Sequence, residues 1–180
     1  MQTFTFELWG TLPNNLNIAI RLGKPDDMPF IYSSWLKSYK QSFAAKDITN
    51  SVYYYHHHKL IENIVDDGGK VLVACDPTDD QVIYGYFIYN LLPKFAVPCL
   101  HYVYVKQPFR GLGVAKALLN ESKIDTSKLS VCTHMSGIGK LAAEKYNFVY
   151  NPYIVYPVYD SLEIEARAAE FHGRQDIMKL

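Results

Sequence analysis

Leu100-His101-Tyr102-Val103-Tyr104-Val105-Lys106-Gln107-Pro108-Phe109-Arg110-Gly111-Leu112-Gly113-Val114-Ala115-Lys116-Ala117-Leu118-Leu119 is the stretch on which the fold turns. It opens as an apolar run of β-branched and aromatic residues, the composition of a strand. A turn with a proline, an arginine and two glycines follows, and then a helix begins around Gly113, Val114 and Ala115. The first N–H groups of a helix lack internal partners and lie at the positive end of its dipole. Gly111, Gly113 and Ala115 let a ligand approach that backbone closely, so the turn is an anion site suited to a pyrophosphate. No G-K-[ST] follows the glycines, which excludes a Walker loop. The G-x-G-x-x-G of a dinucleotide fingerprint is absent as well.

Arg110-Gly111-Leu112-Gly113-Val114-Ala115 resembles the Q/R-x-x-G-x-G/A motif of the GNAT superfamily of N-acetyltransferases. A strand ending at Val105, five residues before the arginine, is similar to that family's arrangement. The likeness extends upstream. Residues 17–22 with Pro25-Asp26-Asp27 look like the family's first strand and helix, and Val82-Ile83-Tyr84-Gly85-Tyr86 like the strand before the cofactor strand. Downstream, Lys145-Tyr146-Asn147-Phe148 stands where the family usually ends its last helix with a glycine and a phenylalanine. The resemblance covers residues 17–155. It implies an α/β, single-domain GNAT-type fold with a central mixed, mostly antiparallel sheet flanked by helices. It also implies acetyl-CoA as co-substrate. The backbone N–H groups of Leu112, Gly113, Val114 and Ala115 would hold the pyrophosphate, with Arg110 and Gly111 in the same loop. Val103 and Val105 would pair with the pantetheine arm as an added strand does.

The rest of the chain reads as alternating elements of one domain. Residues 17–22 alternate, with Ile18, Ile20 and Leu22 to one side. Pro25-Asp26-Asp27 opens a helix, since proline suits a first turn and acids suit its positive end. Met28, Ile31, Trp35, Leu36 and Tyr39 continue it at helical spacing. A second helix is expected over 51–65, ended by Asp66-Asp67-Gly68-Gly69. Strands follow at Lys70–Cys75, 81–90 and Val97–Val105, then a helix over 113–121, a strand over 129–132 and a helix over 136–146. Further strands are expected over 148–155 and around Val158. Residues 1–16, with Phe4, Phe6 and Leu8 alternating, form an N-terminal extension, and 161–180 a C-terminal helical tail. No repeat or linker divides the 180 residues, a length that suits one domain.

Lysine plus arginine equals aspartate plus glutamate at 18 each. Such balance produces no overall field towards nucleic acid or an anionic membrane, and neither is expected as a partner. Cys75, Cys99 and Cys132 are odd in number, far apart and set in apolar stretches, which points to a reducing compartment. The N-terminus has no basic segment followed by an apolar one, as a signal peptide has. The longest near-apolar run, 83–92, is half the roughly 20 residues that a membrane span needs. A cytoplasmic protein is expected.

Acetyl transfer to an amine needs removal of a proton from the ammonium, a task for a base with a pKa near neutrality. His101 is the candidate. It lies on the strand before the glycine turn, on the same face as Cys99 and Val103 by two-residue periodicity. Arylalkylamine acetyltransferases, which the sequence resembles here, have a histidine at the matching position. The alternative is a half-buried histidine filling the sheet. The family's usual thiolate-protonating tyrosine falls on Ala143, and its glycine on Asn147. Cys132 and His134 are further candidates, and Tyr146, about 60° round the helix from Ala143, suits packing better. His56, His57 and His58 point about 100° apart on a helix and cannot converge on one metal, so no metal is expected.

Two functions stay open. One is an acetyl-CoA-dependent N-acetyltransferase acting on a primary amine of a small molecule or protein. The other is a catalytically weak or inactive member of the fold that binds CoA or serves in an assembly. The fifteen tyrosines leave room for a homodimer or larger assembly.

Overall fold

The structure, a computed structural model, describes residues 16–92, 97–136, 139, 140, 143 and 146–155. Phe4, Phe6 and Leu8, the strand expected around Val158 and the helical tail lie outside them. So does much of the helix expected over 136–146, of which Gly139, Lys140 and Ala143 are helical. The described elements are β1 (Ala19–Leu22), α1 (Met28–Lys40), α2 (Asn50–Asp66), β2 (Lys70–Cys75), β3 (Ile83–Leu92), β4 (Val97–Val105), α3 (Val114–Glu121), β5 (Ser130–Cys132) and β6 (Phe148–Tyr150). Short 3-10 turns stand at Pro25–Asp27, Gln107–Phe109 and Pro152–Val155.

The six strands form one sheet in chain order. β1 to β4 are antiparallel neighbours, and β5 and β6 add on in parallel. The sheet is therefore mixed and mostly antiparallel. β3 covers the near-apolar run and so starts two residues later than the strand expected over 81–90, at Ile83. Val82 N–H donates to the Asp79 carbonyl and Ile83 N–H to that of Gln81, so the chain is still turning there.

Alternation along β2 shows why both faces are covered. Val73 and Cys75 pack with Ile31, Trp35, Leu36 and Tyr39 of α1 and Tyr53, Ile61 and Ile64 of α2. Leu72 and Ala74 pack on the other side with Val114 and Leu118 of α3. A strand buried on both faces has to be apolar throughout, as this one is from Leu72 to Cys75. The corner between β1 and α1 is fixed by charge. Arg21 grips Asp27 with two hydrogen bonds, at 2.7 and 2.9 Å, and donates to the Asp80 carbonyl at 2.8 Å. The Arg21 guanidinium, helped by the Lys24 N–H, holds the Asp27 carboxyl below the usual carboxylate range.

Two tyrosine hydroxyls inside the layer under α1 are paired, whereas Trp35 Nε1 is buried there without a partner among the described residues. The Tyr86 hydroxyl lies 3.0 Å from Ser34 Oγ and 3.2 Å from the Ile31 carbonyl, and that of Tyr102 lies 2.8 Å from Ser38 Oγ. Tyr86 is fully buried. Tyr86→Phe is expected to cost about 1 kcal/mol, the usual worth of a satisfied buried hydrogen bond, because Ser34 keeps its bond to the Phe30 carbonyl. A lower urea midpoint at unchanged m-value would show it; an unchanged midpoint would mean the hydroxyl contributes nothing.

Candidate active site

The turn after β4 is anchored from both ends. Phe109 packs its ring 4.3 Å from that of Tyr84, and Arg110 Nε donates to the Val105 carbonyl at 3.0 Å, folding the turn back over the strand's end. Gly111 and Gly113 have φ of 79° and 80°, in the left-handed region where most side chains are strained. Gly113 caps α3. Among the described residues, no backbone carbonyl accepts from the N–H groups of Leu112, Gly113, Val114, Ala115 or Lys116. From Val105 to Asn120 the chain carries Lys106, Arg110 and Lys116 and no acid. Unused donors at a positive helix end, in a segment whose charged side chains are all basic, fit a diphosphate.

β4 itself presents an open edge next to that turn. Lys106 N–H donates to the Tyr84 carbonyl at 2.8 Å, so Lys106 addresses β3. By two-residue alternation Tyr104 and Tyr102 do the same, while Val103 and Val105 turn their N–H and C=O groups away from β3. On that far side β5 pairs only with Cys99 and Leu100, and the last rung is Thr133 N–H to the Leu100 carbonyl at 3.1 Å. Beyond it, no described strand pairs with the far side of β4. The arrangement is a notch whose apex lies at residues 101 and 133.

At the apex β4 contains one extra residue. Ile88 pairs with Tyr102 but Tyr89 pairs with Leu100, so His101 has no cross-strand partner and the strand bulges there. This corrects the facing expected from simple alternation. His101 reaches Asn90, the cross-strand partner of Cys99, and so shares the face of Cys99. Val103 pairs with Phe87 and lies on the α3 face instead. His101 is 3% exposed rather than half-buried. Its Nε2 lies 3.2 Å from Asn90 Oδ1, and its Nδ1 lies 3.1 Å from Thr133 Oγ1. Burial pushes its pKa down to about 4, below the near-neutral value expected of a base at this position.

Other side chains close around the apex. Thr133 Oγ1 also lies 2.8 Å from Nδ1 of His134, whose ring is boxed by Trp35, Tyr39, His57 and Tyr102. Trp35 stacks on Tyr102 at 4.8 Å, and His57 stacks on Tyr39 and Tyr53 at 5.0 and 4.9 Å. Burial also lowers the pKa values of His57, to about 4, and His134. Cys132 is buried in β5, which pushes its thiol up and makes it a poor thiolate-handling group. Ala143 packs against the α3-side cluster, and the Tyr146 ring lies tilted 5.4 Å from Phe148. The Asn147 carbonyl accepts from Ser130 N–H, tying the turn before β6 to β5.

The three consecutive histidines of α2 part company. His56 is exposed, His57 points into the aromatic box, and His58 stacks on Tyr32 and lies 3.4 Å from Glu62. Asn90 and Thr133 belong to no motif in the sequence, and His57 stands out there only as one of three consecutive histidines. For Thr133 a signal existed: a hydroxyl between Cys132 and His134, straight after a short strand, is placed to bridge side chains.

No protein-family model matches the sequence, and no curated protein does either. Acetyltransferases are among the solved structures that it resembles. One is a GNAT-family acetyltransferase from Staphylococcus aureus, 20% identical over 58% of this chain and 62% of that one, with a TM-score of 0.42. Another is the PaiA N-acetyltransferase of Thermoplasma acidophilum in complex with coenzyme A, 19% identical over 60% and 70%, TM-score 0.45. A ribosomal-protein-alanine N-acetyltransferase of Brucella melitensis is 21% identical over 73% and 72%, TM-score 0.43. The match to the first spans less than two thirds of its length, and all three TM-scores lie below 0.5. Among the described residues no helix is long and apolar enough to cross a membrane.

Proposed function

We propose that the chain is a GNAT-type, acetyl-CoA-dependent N-acetyltransferase that acetylates a primary amine of a small molecule or protein. One observation carries the reading: a left-handed glycine turn with unused N–H donors opens α3 directly beside the outward-facing half of β4. Leu112, Gly113, Val114 and Ala115 would hold the pyrophosphate through backbone N–H groups, with Arg110 and Gly111 shaping the turn. Val103 and Val105 would receive the pantetheine arm. Acetyl-CoA, when bound, supplies the acetyl group as an activated thioester. The chain's own residues bind and orient at the notch, exclude water with the Trp35–Tyr102 stack, and offer His101 to the departing proton.

Ala143 favours a second reading, a CoA-binding protein of weak or no activity, because that position provides no acid for the leaving thiolate. Two measurements separate them. Acetyl-CoA at 100 times its Kd should stabilise the protein by about 2.7 kcal/mol, raising Tm by roughly 5–10 °C for a chain of this size. No shift at millimolar acetyl-CoA would eliminate the cofactor assignment. Release of free thiol across a panel of amines would then mark an enzyme; a shift without any release would mark the binding protein.

A further inference from the structure

We propose that Thr133 is a positioning residue that couples His101 and His134 into one proton-accepting pair. The proposal rests on the acetyltransferase reading above. It follows from the directions that the hydrogen bonds must take. Asn90 Oδ1 can only accept, so His101 Nε2 carries the hydrogen of that contact. A neutral ring protonated at Nε2 has its lone pair at Nδ1, and the Thr133 hydroxyl must donate its single hydrogen there. The Thr133 oxygen is then an acceptor towards His134, whose Nδ1 must carry a hydrogen. Both tautomers are thereby set, and His134 Nε2 is the nitrogen left with a lone pair.

The relay balances. A proton leaving the acceptor ammonium bonds to His134 Nε2, while the amine keeps its electron pair for attack. The His134 Nδ1 hydrogen passes to Thr133 Oγ1, and the Thr133 hydrogen passes to His101 Nδ1. The positive charge ends on His101, which still donates from Nε2 to Asn90 Oδ1. The two moves within the protein run along contacts of 2.8 and 3.1 Å. The location suits the chemistry, since Thr133 makes the last rung between β4 and β5 and His101 is the bulged residue opposite it. Burial keeps both rings neutral at pH 7, as the hydrogen-bond directions require. The other titratable groups near the pair are Tyr39 of α1, His57 of α2 and Tyr102 of β4, with Cys99 and Cys132 in the strands beside it.

The test uses the full chain. Long-range nitrogen–proton spectra of the histidine rings at pH 7 should show His101 protonated at Nε2 and His134 at Nδ1. Thr133→Val should disturb that pattern and lower turnover roughly 10²-fold, the scale of a lost acid–base contribution, with acetyl-CoA affinity unchanged. Thr133→Ser returns the hydroxyl and should recover most of the turnover and both tautomers. A parent with His101 protonated at Nδ1 overturns the proposal, as does a Thr133→Val protein with the parent's spectra and turnover. Should Thr133→Val fail to fold, the spectra of the parent and of Thr133→Ser decide the bridge. A parent that binds acetyl-CoA but acetylates no amine overturns the acetyltransferase reading, and the proton role falls with it.

Discussion

Gly113→Asp is expected to abolish the acetyl-CoA thermal shift and to raise Kd by about a hundredfold or more. At φ 80° most residues are strained, but aspartate is among those that tolerate the left-handed region, so the free protein should keep its fold. A cost of about 1 kcal/mol would lower Tm by only 2–4 °C in a chain of this size. The ligand meets a different situation. A carboxylate about 5 Å from a phosphate charge, at an effective dielectric of 20, opposes it by roughly 3 kcal/mol, or about a hundredfold in Kd. It also competes for the N–H donors of Val114 and Ala115. Gly113→Asn has nearly the same shape without the charge and should weaken binding much less. Calorimetric titration of both variants decides the matter; equal affinity in Gly113→Asp and the parent would put the cradle elsewhere.

Mild acid is expected to destabilise the free protein well before its carboxylates titrate. His57, His101 and His134 all have folded pKa values below the unfolded value near 6.5, chiefly because burial disfavours their charged forms. Between pH 6.5 and 4 the unfolded chain therefore binds more protons than the folded one, so stability falls as pH falls through that window. For His101, with a folded value of about 4, the loss by pH 4 is on the order of 3 kcal/mol. Above pH 7 these rings should add no slope. Urea midpoints taken from pH 7.5 to 4 would reveal the fall, and His101→Gln should remove its share of it. A flat profile down to pH 4.5 would mean that the three rings are solvated in the folded protein.

Much of this architecture was legible because the signals were local. Lys70–Cys75 is an apolar run closed by Asp76-Pro77, and Val97–Val105 ends against Lys106-Gln107-Pro108, so both strands fall within their expected bounds. The glycine turn was legible for the same reason: a left-handed backbone leaves its mark in the residue type. The bulge left none. Nothing in Leu100-His101-Tyr102 distinguishes a strand with an extra residue from one without, so the facing of Val103 relative to His101 came out wrong. The His101 surroundings were illegible for a related reason. Asn90 is 11 residues away and Thr133 is 32, and only the register of three strands brings them to the ring. His57 is the extreme case, since its burial depends on side chains from α1 and the end of β5.

An unpaired strand edge is ordinarily a hazard, since a second chain can add to it and begin an aggregate. β4 carries such an edge over Val103–Val105, but not where a second chain could lengthen the sheet. The edge lies inside the sheet, at the split between β4 and β5, rather than on its rim. Leu100 closes the split at one end, where Thr133 binds its carbonyl, and the Arg110 side chain occupies the Val105 carbonyl at the other. Few rungs remain between those stops, too few for the long row of pairings by which strands from separate molecules template one another. Bare backbone can thus persist there without inviting a second chain to pair with it, because narrowness rather than charge or proline protects it.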